Sequence, residues 1–153
     1  MTSVARLLDP KSVFLAKHAQ HVVLIHFPIA AFMIAVAFDY SAHWTKNQTL
    51  AAAAYFNLLI AATATVPVVV TGVVAWRWAL EGQPLKGILL QHFVLGCASS
   101  AIIAFVWWIH WRARRQLTGM LPAYRLPVEA IGALLVALTA HLGGFLSGVN
   151  SPG

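Results

Sequence analysis

Seven histidines stand in a chain of 153 residues that has only four acidic groups. Six of them lie in long uncharged runs, and three of those, His26, His92 and His141, stand well inside. An imidazole surrounded by hydrocarbon is costly to keep without a partner, so each of the three marks a functional hypothesis. Imidazole nitrogen ligates haem iron axially and also binds zinc, which points to cofactor or metal binding within a membrane. Cys97 is the single cysteine. It excludes an intramolecular disulfide, a thiol redox pair and covalent attachment of a c-type haem, and any cofactor must have other ligands.

The elements that must position these rings follow from the charge pattern. Hydrophobic residues make up 60% of the chain and charged ones only 9%, far below the quarter or so usual in soluble domains. Charged side chains leave four free windows, residues 18–38, 47–76, 87–111 and 130–153. Each can cross a bilayer as helix, since about 20 residues at 1.5 Å rise span about 30 Å. The fold predicted is all-α, an integral membrane four-helix bundle with up-down-up-down topology. Residues 1–20 form an interfacial segment, with a short helix broken near Pro10, and residues 21–150 form the four-helix domain. The first apolar run has about 20 residues before it and no small-residue cleavage site, so it is read as a retained helix.

Within the spans, Pro28 falls near the start of helix one, where its ring does least damage. Pro67 predicts a kink in helix two, with Thr63, Thr65 or Thr71 available to freed backbone groups. Trp107, Trp108, His110 and Trp111 close helix three as an interfacial belt, and helix four begins near Val128. The net charge of +6 does not imply nucleic acid, because so few charges cannot form a continuous basic face. Lys and Arg divide five against five between the two sides of the membrane. The density of Arg112, Arg114, Arg115 and Arg125 in one loop favours that loop inside and both termini outside.

In this topology His26, His92 and His141 fall toward the same membrane face, about 6 to 12 Å below its boundary. His92 shares a helix face with Gly96, and His141 with Gly144. Small residues here either let helices pack closely, as Gly144 and Gly148 would at GxxxG spacing, or leave a slot for a flat macrocycle. Helices one and three are diagonal in a four-membered ring. His26 and His92 are therefore the candidate clamp for a b-type haem, with Arg77 or Lys86 near its propionates and His141 as alternative ligand or supporting partner. A zinc site of His26, His92 and His141 is the metal alternative, without a carboxylate at that level to act as base. Asp39, His43 and His110 on the opposite side lie out of helical phase for a second haem and are read as belt and loop residues.

The run HVVLIHFPIA (His21 to Ala30), the TG of Thr71 and Gly72, His92 in helix three and HLGG (His141 to Gly144) resemble the uncharacterised four-helix membrane family known as domain of unknown function 2231. The resemblance covers most of the chain from about residue 18. The sequence departs from the family where an acidic residue often follows the TG and this chain reads VVAWR. Similar domains occur joined to c-type cytochrome modules, and the resemblance thus implies a respiratory or redox setting with the termini outside.

The leading expectation is a multi-pass protein of a bacterial inner membrane, both termini periplasmic, that binds haem b and passes electrons. It would act as a subunit or cytochrome partner of a larger redox complex, more as an accessory than a stand-alone enzyme, with homo-oligomers also open. One alternative is a cofactor-free structural or assembly subunit. Another is a small transporter or quinone-binding module built on His26, His92 and Arg77, although no internal repeat supports transport.

Overall fold

The computed structural model describes residues 17–116 and 120–147. The expected interfacial helix around Pro10 and the Gly148 half of the GxxxG pair lie outside them. The described residues form five α-helices and no strand: α1 (Lys17–Leu24), α2 (His26–Thr45), α3 (Gln48–Val74), α4 (Gly87–Arg115) and α5 (Arg125–Leu146). Helices α1 and α2 together make the first of four apolar spans, Gln20–Thr45. The others are Gln48–Trp78, Gly87–Arg115 and Arg125–Leu146.

The division between α1 and α2 has a local cause. Pro28 has no N–H to give the carbonyl of Leu24, four residues earlier, and its ring crowds that carbonyl. The chain is already helical from Lys17, so Pro28 sits a third of the way along a span and the helix breaks at Ile25. Across α3 the helix continues through Pro67. Thr63 and Thr71 turn their hydroxyls back on carbonyls of the same helix, Thr71 donating to Pro67 O at 2.8 Å. Asn47 caps the start of α3 by accepting from the backbone N–H of Thr49 at 2.8 Å, which satisfies one of the orphan donors of a helix start. After Val74 the helix widens into one π turn, Ala75–Ala79.

Each span packs on its two neighbours in the ring: first on second, second on third, third on fourth, and fourth back on first. The topology is the expected up-down-up-down bundle. Its apolar centre is made by Phe32, Ala35, Leu58, Ala61, Ile103, Val106 and Val136. Phe32 and Gly132 meet so closely that a Cβ at position 132 would lie 2.9 Å from the phenyl ring. Val66, Phe56, Ile60, Leu134 and Phe105 are exposed, as a lipid-facing exterior requires. At the ends of the Arg-rich loop, the guanidinium of Arg114 stacks 3.9 Å above Tyr55 and that of Arg115 lies 4.3 Å from Trp111. These cation–π contacts fit an interfacial belt.

Candidate functional site

The bundle has two polar ends separated by the apolar centre. At the end where the first span begins and the last one finishes, a cavity of about 490 Å³ opens between α1, α3, α4 and α5. Valine, leucine, isoleucine and aromatic side chains form most of its wall, and two imidazoles, His21 and His92, enter it from diagonal spans.

Both rings are held in the same way. His21 Nδ1 donates to Val68 O at 3.1 Å, with Thr71 Oγ1 at 3.3 Å. His92 Nδ1 donates to Thr139 O at 3.1 Å. A carbonyl can only accept, so these bonds place the proton on Nδ1 of each neutral ring and leave Nε2 as the basic nitrogen. Each ring rests on a glycine. A Cβ at Gly72 would lie 3.0 Å from His21 Cε1, and one at Gly143 would lie 3.2 Å from His92 Cε1. The ring centres are 6.5 Å apart and the planes nearly perpendicular, at 86°. Two imidazoles bound to one metal ion at about 2 Å per bond have their centres about 6 Å apart. The donor type, the Nδ1–H tautomers and the apolar walls suit a haem or a metal ion to which His21 and His92 would supply imidazole ligands.

The structure brings His92 and Gly96 of the sequence-derived set to this cavity, and it places the others elsewhere. His26 is exposed, its Nδ1 bonded to Val22 O at 2.8 Å across the junction of α1 and α2. His141 is exposed and packs edge-on against Phe145. Gly144 is half-buried, and its neighbour Gly143 is the residue that meets His92. Arg77 and Lys86 are exposed beside Trp76 and Leu85, which line the cavity. The proposed three-histidine zinc set therefore does not assemble: among the described residues, a different trio lies close enough to hold an ion. The reason is helical phase: five residues put His21 and His26 about 140° apart around the helix axis, so with α1 against α3 and the π turn His21 reaches the wall while His26 is left on the outer surface.

At the opposite end four ionisable side chains are buried together. Arg125 Nε donates to Asp39 Oδ2 at 2.7 Å, and His110 Nε2 donates to Glu129 Oε1 at 3.1 Å. Asp39 is 1% exposed, Glu129 0%, His110 3% and Arg125 5%. Reading Asp39 and His110 as belt and loop residues is thus corrected, since both point into the bundle. Their spans continue past the charges that bounded the uncharged windows. Asp39 and His110 also line a second cavity of about 500 Å³, together with His43, Lys46 and Arg114.

Residues 17–150 match the family described as predicted membrane protein (DUF2231). The chain belongs to the DUF2231 family. In this DUF2231 protein the stretches that carry the sequence resemblance meet at the first cavity: His21 opens the HVVLIHFPIA run, Thr71 and Gly72 are the TG, His92 faces His21, and Gly143 lies in HLGG. No curated protein and no solved structure matches the chain.

Sequence reasoning missed His21 and Glu129. A signal for His21 was present, because five residues place it about 140° from His26 around one helix, and only one of the two can face the bundle. For Glu129 the signal was its spacing of four from Arg125, which puts both on one helix face.

Proposed function

We propose that this multi-pass membrane protein binds a b-type haem between His21 and His92 and serves as an electron-transfer subunit. The observation that carries the reading is the perpendicular imidazole pair, 6.5 Å between centres, at an apolar cavity. A b-type haem supplies one-electron redox chemistry. Were both imidazoles to bind its iron, no open position would remain for oxygen, which favours electron transfer over catalysis. Val68 O and Thr139 O orient the two rings, and Gly72 and Gly143 make room for them. The apolar walls exclude water. Arg77 and Lys86, at the cavity's outer edge, are the cations suited to propionates. A bacterial inner membrane, termini on the periplasmic side and a larger redox complex as partner belong to the same proposal.

The test is an absorption spectrum of the detergent-purified protein, as isolated and after titration with hemin. The expected result is a Soret band at one haem per chain that His21→Ala and His92→Ala each abolish. No band in either preparation, or a band that survives both substitutions, overturns the reading. The cross-helix bonds of His21 and His92 favour a second reading, a cofactor-free assembly subunit in which the rings only tie spans together. Under that reading His92→Ala lowers stability and no preparation takes up hemin.

A further inference from the structure

We propose that Asp39, His110 and Glu129 form a binding site for a divalent metal ion of the zinc, iron and manganese class, at the end of the bundle away from the histidine cavity. The three residues come from three different spans, and each offers one ligand atom. These atoms lie within 4.8 Å of one another. Around a tetrahedral ion with bonds of about 2.0–2.2 Å they would lie roughly 3.4 Å apart. The widest pair must close by at most about 1.4 Å.

The second observation is the hydrogen-bond inventory of the quartet. Asp39 Oδ1 and Glu129 Oε2 are buried and have no partner, although a buried carboxylate oxygen without one is costly. The other oxygen of each acid is already used, by Arg125 and by His110. A proton on His110 strengthens its bond to Glu129 Oε1 and leaves both orphan oxygens as they were. One cation meets both; when His110 Nε2 releases its proton and becomes the third ligand, Glu129 Oε1 loses its donor and turns to the same ion, as a bidentate carboxylate does. Arg125 then acts from outside the coordination sphere, fixing the Asp39 carboxylate through Oδ2 so that Oδ1 faces inward. A solvent-derived fourth ligand can enter along the second cavity, which reaches Asp39 and His110. One nitrogen and two carboxylate oxygens select borderline divalent ions over copper(I) or calcium.

The experiment is titration of the detergent-purified, chelator-treated full chain with Co²⁺, followed by its visible absorption, and then with Zn²⁺ in competition. The expected outcome is one Co²⁺ per chain, displaced by Zn²⁺, with at least tenfold weaker binding in His110→Ala and in Glu129→Gln. The His21→Ala/His92→Ala double variant retains full binding. Zn²⁺ should also raise the thermal unfolding midpoint of the unaltered chain, and a chelator should reverse the rise, a readout that does not depend on the variants folding. Failure to bind Co²⁺ with no shift in midpoint overturns the proposal. So does binding that both single substitutions leave intact, or binding that the double variant loses.

Discussion

The two ends of the bundle solve the same problem, polar groups in a membrane, in opposite ways. Around His21 and His92 the helices stand apart, small residues face the rings, and the polar atoms turn to backbone carbonyls at the edge of a space. Around Asp39, Arg125, His110 and Glu129 the side chains close on one another and are almost fully buried. The first arrangement is built around room and the second around charge. Neutral imidazoles bonded to carbonyls need no counter-charge and tolerate an open cavity. Carboxylates and a guanidinium must find each other or remain unsolvated. The difference teaches that one small fold can keep polar groups in a membrane either by giving them room or by closing them on one another.

The comparison is broken most forcefully at the charged end. Asp39→Ala leaves Arg125 buried without its carboxylate, and removing one partner of such a pair costs about 3–5 kcal/mol. The unfolding midpoint in detergent should fall steeply, and the Asp39→Leu/Arg125→Met double variant should recover most of the loss. If Asp39→Ala is neutral, the pair is solvated and the contrast between the ends fails. Gly143→Val tests the open end. Its side chain occupies the place of the His92 ring, so hemin affinity should drop at least tenfold while stability changes by about 1–3 kcal/mol. The smallest effect is expected for His26→Ala and His141→Ala, both exposed. Each should stay within about 0.5 kcal/mol of the unaltered chain and leave hemin uptake unchanged. A lost Soret band in either would return the ligand role to the residues first suggested by the sequence.

The four spans, their antiparallel order and the diagonal placement of the first and third were legible in the sequence, because uncharged windows of bilayer length leave few alternatives. His92 and Gly96 were legible too, since α4 is straight enough for depth to be counted in residues. His21 was not found because the expected four-helix domain began at residue 21, which left it at the edge of the first span. The helix begins at Lys17, which moves both His21 and Pro28 inward. The charged quartet was hidden by the same rule that found the spans. Asp39 and Glu129 were taken to end hydrophobic segments, whereas α2 runs on to Thr45 and α5 starts at Arg125. A charge bounds a span when it is alone. It lies within the span when an opposite charge on a neighbouring helix reaches it, and that neighbour cannot be read from a single window.

The interruption at Ile25 is slight: its backbone stays in the right-handed helical region, and its N–H still reaches His21 O at 3.0 Å. The arm that carries His21 therefore belongs to the same apolar span as Phe32 at the bundle's centre. The seating of Phe32 against Gly132 and the arrival of His21 at the cavity wall are thus set by one element, and a shift of that span along its axis would displace both.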